Sequence, residues 1–172
     1  MGGISVSKAK SGNLEVLVAI SRETFFEAFS ADNTTENMNS YMEANLTAET
    51  LAVEMANPES LFYLAHDGDE VIGYLKLNIG KAQTEPLGDT RIEIERIYVK
   101  SQYHGKKVGQ LLYEKALEVA KERHKTEIWL GVWEHNPKAI RFYEKNGFTP
   151  FDTHTFILGN EVQTDILMKK PL

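Results

Sequence analysis

The 172-residue chain contains no cysteine, and this absence excludes several kinds of chemistry. It can form no disulfide, offers no thiolate nucleophile and has no cysteine ligand for a metal ion. No apolar run approaches the roughly 20 residues that a membrane-spanning helix requires, and the N terminus does not read as a secretory signal. We therefore expect a cytoplasmic protein with no metal site and no membrane partner.

Positive charge is also relatively scarce: the chain has 19 Lys and Arg against 25 Asp and Glu, which gives a net charge of −6. This balance argues against nucleic acid as the main partner and is compatible with a cationic one. Proline and glycine are few, at 5 and 12, and we find no linker or repeat. A chain of this length buries about 70% of its unfolded surface, so we expect residues 1–172 to form one domain.

The most informative stretch, Glu93 to Leu117, begins with a strand in which the apolar positions change parity. They are even up to Ile94 and odd from Ile97 onward. A regular strand has a side-chain period of two and cannot change parity while burying one face. One extra residue near Glu95 and Arg96, a β-bulge, would restore the register. The alternative is a regular strand whose acidic side chains face water.

A short basic loop, His104 to Gly109, follows this strand and leads into an amphipathic helix. Backbone N–H groups at a helix N terminus form an anion site, and glycine permits close approach. Lys106 and Lys107 add positive charge there. The loop matches neither a P-loop nor a dinucleotide fingerprint, and an ordinary solvated turn is the common alternative. Apolar residues recur at helical spacing along the helix: Val108, Leu112, Ala116, Val119 and Ala120.

The remaining pattern alternates strands and helices. It predicts strands near 4–7, 61–66, 71–79, 126–133, 153–158 and 164–169, and helices near 13–29, 34–46, 47–55 and 136–146. Asp67 to Glu70 forms a strong hairpin turn signal. The order predicts a mostly antiparallel α+β sheet with crossover helices.

Two segments together resemble the GNAT superfamily of acyl-CoA-dependent N-acetyltransferases. They are I-E-R-I-Y-V with its basic loop, and W-E-H-N-P-K-A-I-R-F-Y-E-K-N-G-F at 133–148. The resemblance implies the GNAT three-layer fold, with a mixed, mostly antiparallel central sheet, a bulged fourth strand and flanking helices. It also implies that the loop binds the pyrophosphate of CoA. Lys107 stands where the family usually has glycine, which puts the local backbone shape in question.

The resemblance further implies acetyl-CoA as cosubstrate and a set of residues that contact it. That set is Ile97, Tyr98, Val99, His104, Gly105, Lys106, Lys107, Val108, Gly109, Gln110, Asn136 and Lys145. The backbone N–H of Ile97 or Val99 would hold the thioester oxygen. Asn136, which helix capping alone would also explain, would contact the pantetheine. Tyr143 would protonate the departing thiolate.

Within the superfamily the chain is most similar to the PaiA-type spermine/spermidine N-acetyltransferases. The matching features are E-T-F in the first helix, E-N-M at 36–38, I-W-L-G-V-W-E, and Q-T-D at 163–165. This likeness implies a polyamine acceptor, with Glu36, Glu93 and Trp133 as substrate-binding candidates.

An aliphatic amine has a pKa of about 10 and must lose a proton before it attacks. Glu95 is the first candidate base and Glu93 the second. An ion pair with a neighbouring strand residue or with Arg91 is the alternative for Glu95. With no cysteine and no Ser-His-Asp pattern, direct attack of the amine on the thioester is the simpler mechanism. A protein or antibiotic N-acetyltransferase, and a CoA-binding regulatory module, remain competing hypotheses. Dimers are common in the superfamily, so a homodimer is also open.

Overall fold

The computed structural model describes residues 3–172, in which a seven-stranded sheet carries helices on both faces. The strands are β1 Ile4–Lys8, β2 Ser60–Asp67, β3 Glu70–Ile79, β4 Arg91–Val99, β5 Glu127–Trp133, β6 Thr149–Leu158 and β7 Glu161–Pro171. The helices are α1 Leu14–Phe29, α2 Thr35–Asn45, α3 Ala48–Ala56, α4 Val108–Glu122 and α5 Pro137–Lys145. None of these helices combines the length and the apolarity needed to cross a bilayer.

The sheet order is β1-β2-β3-β4-β5-β7-β6. Among the strands of residues 3–172, β4 and β5 form the parallel pair and the other neighbours are antiparallel. The predicted mostly antiparallel α+β sheet is therefore confirmed. Because parallel neighbours need a crossover connection, α4 links β4 to β5.

Two apolar cores lie on opposite faces of the sheet, and β2 shows how one strand serves both. Its Tyr63 packs into the core under α4, whereas Phe62 and Leu64 pack into the core formed with α1, α2 and α3. Alternate side chains of a strand point to opposite faces, so a strand buried on both sides is apolar throughout. The predicted stripe of α4 lies entirely in the first core.

Side-chain caps account for the places where the helices begin. Thr34 accepts a hydrogen bond from the backbone N–H of Asn37 at 3.1 Å, and Thr47 accepts one from Thr50 at 3.2 Å. These caps satisfy donors that the first turn of a helix leaves free. They place the starts of α2 and α3 within one residue of the predicted positions.

The last two strands are longer than predicted, since β6 begins at Thr149 and β7 extends to Pro171. Pro150 lies within β6, although proline cannot donate to a ladder. It is tolerated because β6 is an edge strand, and edge positions need no such donor. A register shift follows between Pro150 and Asp152.

Candidate active site

The predicted bulge is present in β4, at Glu95. In the pairing with β3, Arg96 lies opposite Lys76 and Ile94 lies opposite Leu77, so Glu95 is the extra residue. The extra residue shifts the side-chain alternation by one position. Ile94 and Ile97 therefore both reach the core under α4, as their parity required.

Beyond the bulge, β4 and β5 part. Their pairing runs only from Arg91 to Ile94 on β4 and ends at Leu130 on β5. A cleft of about 980 Å³ opens where they separate. It brings together most of the predicted site residues: Glu95, Ile97, Tyr98, Val99, His104, Gly105, Lys107, Val108, Gly109, Gln110, Trp133, Asn136, Tyr143 and Lys145.

Backbone N–H groups of β4 point into this opening. The N–H of Lys100 bonds to the Ile72 carbonyl on β3 at 2.9 Å. In an antiparallel ladder hydrogen-bonded and non-hydrogen-bonded pairs alternate. Ile97 and Val99 lie opposite Leu75 and Gly73 as the non-hydrogen-bonded pairs. Their N–H groups are therefore directed to the other edge of β4, which β5 has left.

The loop before α4 forms an anion-binding turn at one end of the cleft. Gly105 has a φ of 83° and Lys107 a φ of 64°, both in the left-handed region. Lys107 thus keeps the backbone shape that glycine would adopt at less steric cost. The first N–H groups of α4 have no partner within the helix and suit a phosphate oxygen. His104 closes the turn through a 2.9 Å bond from its ring Nε2 to the Val99 carbonyl oxygen.

Lys106 is a predicted CoA contact that the structure does not bring to the cleft. Its ammonium lies 5.1 Å from the centroid of the Tyr103 ring, as a cation–π pair. The lysines that line the cleft are Lys107 of the loop and Lys138 and Lys145 of α5.

Glu95 belongs to a ring of four charged side chains that joins α3, β3 and β4. Lys76 Nζ lies 2.7 Å from both Glu54 and Glu95. Arg96 completes the ring, at 2.9 Å from Glu54 and 3.1 Å from Glu95. The side chains of Lys76 and Arg96 are only 6% and 11% exposed. Asn78 adds a hydrogen bond to Glu95 Oε1 at 2.8 Å.

This ring keeps Glu95 ionised. Burial alone would raise the pKa of the Glu95 carboxyl, but Arg96 and Lys76 beside it hold that pKa below its ordinary value. The ion pair with a neighbouring strand, considered as the alternative to catalysis, is therefore real. Arg91 takes no part, because it pairs with Glu127 at 2.6 Å. The carboxylate nevertheless lines the cleft.

Glu93, the second candidate base, is buried and does not itself line the cleft. Thr84 donates to it from its backbone N–H at 2.8 Å and from its hydroxyl at 2.5 Å, and Asn78 donates at 3.0 Å. Burial raises the pKa of the Glu93 carboxyl. The side chain is thus committed to anchoring the loop between β3 and β4, which corrects its assignment as a substrate contact.

Glu36 is likewise not brought to the cleft. Its carboxylate is exposed in the first turn of α2, where a negative charge interacts favourably with the helix dipole and stabilises the helix. A sequence pattern could not separate this role from acceptor binding. Trp133 does line the cleft, with its indole N–H donating to Gln163 at 2.8 Å.

Tyr143 lies on α5 and Asn136 is the N-cap of that helix, as the sequence predicted. Asn136 caps the helix by accepting a hydrogen bond from Ala139 N at 3.2 Å, and it lines the cleft as well. Tyr143 is buried, and burial raises the pKa of its hydroxyl well above the ordinary value. It therefore stays protonated at neutral pH and is able to donate.

Sequence reasoning missed several residues here. Glu54 and Lys76 of the charged ring were not singled out, although a lysine inside the apolar run of β3 is itself unusual. From α1 and the turn after it, Glu27, Phe29 and Asp32 line the cleft. Glu27 also bonds to the backbone N–H and hydroxyl of Ser101, at 2.9 and 2.6 Å. No local pattern signals such long-range contacts.

A sequence profile of the Acetyltransferase (GNAT) family matches residues 17–148. The chain belongs to the GNAT acetyltransferase family. Acetyl-CoA is accordingly its acetyl donor, and the N–H groups at the α4 turn and along β4 fit its phosphates and its thioester carbonyl. The predicted GNAT fold is confirmed.

Two sequence relatives and one crystal structure are similar to this GNAT protein over most of its length. An uncharacterized N-acetyltransferase of Lactobacillus delbrueckii subsp. lactis is 41% identical over 172 residues, covering 100% of this chain and 99% of the relative. A spermidine N(1)-acetyltransferase of Thermoplasma acidophilum is 29% identical over 154 residues, covering 87% and 91%. A crystal structure of the PaiA N-acetyltransferase from Thermoplasma acidophilum in complex with coenzyme A superposes with a TM-score of 0.81 at 26% identity, covering 99% of both chains.

The left-handed backbone at Lys107 generates a stability prediction. Replacing Lys107 with glycine removes the steric cost of the Cβ, so we expect the free energy of unfolding to rise by about 0.5–1 kcal/mol. Lys107→Ala is the matched control, because it removes the same charge and keeps the Cβ. Urea denaturation measures both variants. An equal gain in the alanine variant would show that backbone strain is not the cause.

The charged ring predicts a pH-dependent loss of stability. We expect Lys76→Met to lower the free energy of unfolding by about 3 kcal/mol near neutral pH, because it leaves two partly buried carboxylates, Glu54 and Glu95, to share Arg96 alone. The contribution from Glu95, whose pKa is lowered by folding, is present above the unfolded pKa of about 4.3 and disappears as pH falls through the folded value. The difference from wild type should therefore shrink in acid.

Urea denaturation between pH 7 and pH 3.5 (roughly one unit below the unfolded pKa of glutamate) tests this expectation. The exposed Lys81, changed to methionine, controls for loss of a lysine. A destabilisation by Lys76→Met that is constant across this range would contradict the role given to the ring.

Proposed function

We propose that this GNAT enzyme acetylates a primary amine of a polyamine such as spermidine or spermine, by direct attack of the amine on acetyl-CoA. The observation that carries the proposal is that one cleft is lined by two groups with opposite proton chemistry. Glu95 is held ionised by its neighbours, and Tyr143 is held protonated by burial.

In the proposed reaction, the acceptor arrives as an ammonium ion and gives one proton to Glu95, directly or through a water. The freed nitrogen lone pair forms a bond to the thioester carbon. The backbone N–H groups of Ile97 and Val99 stabilise the negative charge that develops on the carbonyl oxygen. The carbon–sulfur bond then breaks as Tyr143 gives its proton to the departing thiolate, and the second proton of the attacking nitrogen passes, directly or through water, to Tyr143, which leaves a neutral amide and restores the hydroxyl.

The choice of a polyamine is supported by two observations. The spermidine N(1)-acetyltransferase of Thermoplasma acidophilum matches over 87% of this chain. Carboxylates, among them Glu27, Asp32 and Glu95, also line the cleft. A cationic acceptor gains from their field, whereas an acidic acceptor is repelled.

A thiol-release assay with acetyl-CoA tests the proposed acceptor. We expect spermidine and spermine to be acetylated with a higher kcat/KM than an aminoglycoside or a lysine peptide, because only they are flexible linear polycations. A higher kcat/KM for the peptide would replace the polyamine with a protein acceptor. CoA binding without turnover of any amine would favour a regulatory module.

The two catalytic roles predict a loss of turnover without loss of fold. Tyr143→Phe and Glu95→Gln should each lower kcat by about 100-fold or more, the range of general acid or base catalysis. Tyr113→Phe is the matched control, because Tyr113 is a buried tyrosine of α4 that does not line the cleft. Circular dichroism at the assay temperature verifies folding. Wild-type kcat in either variant would remove that residue from the mechanism.

A further inference from the structure

The face of the sheet that carries Glu95 has a gap at Gly131, in the middle of β5. Trp129 and Trp133 flank this glycine on the same face, since alternate residues of a strand share a side. Gly131 is exposed although it lies in a strand of the sheet interior, and it lines the cleft. The glycine thus contributes no side chain between the two tryptophans, and the backbone floor that results is bordered by Asp165 and Leu167 of β7.

Asp165 of β7 extends over this floor. It pairs with Trp133 in the register of β5 and β7, one step along from Gly131. Its Oδ2 lies 3.2 Å from the position that a Cβ on Gly131 would occupy. Any side chain at residue 131 would therefore crowd the carboxylate and fill the space above the floor.

Glu95 borders the same floor from the opposite strand. It follows Ile94, whose partner on β5 is Leu130, so Glu95 comes beside Gly131. Neighbouring paired strands lie about 4.8 Å apart, and since β4 and β5 part after Ile94, the backbones of β4 and β7 are at least about 10 Å apart across β5. Glu95 and Asp165 thus flank a strip at Gly131 to which β5 contributes no side chain, and this strip reaches the cleft.

The carboxylates around this strip differ in how their charge is balanced. Glu95 has Lys76 and Arg96, and Glu85 has His154 at 2.9 Å. Among residues 3–172, no side chain hydrogen-bonds to Asp165 and no cation lies within ion-pair distance of it. Burial raises the pKa of Asp165 to about 6, against the opposing effect of His154. An added cation would relieve this imbalance.

We propose that Asp165 binds a second ammonium group of the acceptor, with the methylene chain lying over Gly131 and the reacting nitrogen at Glu95. This specificity role rests on the proposed polyamine acetylation. A side chain at residue 131 would crowd Asp165 and Leu167 and would also take space that the acceptor chain needs. It also makes a diamine or polyamine a better acceptor than a monoamine.

The test compares spermidine with butylamine, which lacks a second ammonium group. Asp165→Asn keeps the shape of the side chain and removes its charge. We expect the variant to raise the KM for spermidine about tenfold or more and to leave the kinetics of butylamine unchanged, since only spermidine loses a charge pair. Asp152→Asn, at an exposed aspartate of the adjacent strand, is the matched control. Equal effects of Asp165→Asn on both amines would overturn the proposal.

Calorimetry with spermidine in the presence of CoA separates this proposal from the proposed function. A Kd about tenfold weaker in Asp165→Asn supports the role of Asp165 whether or not turnover occurs. An unchanged Kd refutes that role, even if spermidine is acetylated. Gly131→Ala supplies a second variant that keeps the charge. Gly131→Ala should also weaken the binding of spermidine. An unchanged Kd for spermidine in this variant would show that the acceptor does not lie over residue 131.

Discussion

The single extra residue at Glu95 is the constraint on which the site depends. Without it, consecutive side chains of β4 would alternate strictly between the two cores. The bulge instead allows Glu95 and Arg96, neighbours in sequence, to contact each other at 3.1 Å on one side of the sheet. It also returns Ile97 to the core under α4. One local irregularity thus serves packing on one face and electrostatics on the other.

The divergence of β4 from β5 has a corresponding backbone consequence. Strands normally satisfy the N–H groups of both edges by pairing. Past Ile94, β4 keeps its partner β3 but loses β5, and the N–H groups of Ile97 and Val99 are left directed at the cleft. A thioester carbonyl is a suitable acceptor for them. The backbone groups that suit the thioester therefore belong to a strand of the sheet.

Much of this arrangement could be predicted from the sequence because it depends on local patterns. The parity change in β4 revealed the bulge, and threonine and asparagine caps fixed the helix starts. The Asn136 to Tyr143 segment placed both residues at the cleft. The first residues of β6 were missed, and the edge position that tolerates Pro150 there is not encoded in the local sequence.

The acidic residues were harder to assign, for a physical reason. Glu36, Glu93, Glu95 and Asp165 are all carboxylates in sequence, but their roles depend on partners far along the chain. Thr84 engages Glu93, and Lys76 engages Glu95 across a strand pair. Glu36 faces solvent. Periodicity reports which face a residue occupies and carries no information about the charge that it will meet there.

Glu95, which lines the cleft, and Asp165, which lies beside the cleft-lining Gly131, differ in how their charge is balanced. Glu95 has its charge compensated by two cations, so its position and ionisation are fixed before any ligand arrives. Such preorganisation suits a group that must handle a proton in a defined place. Asp165 is half-buried without a compensating cation, which costs stability in the free protein. Under the role proposed for it, that cost is recovered when a cationic acceptor binds. An unpaired carboxylate of this kind is therefore more useful for selecting the acceptor than for stabilising the fold.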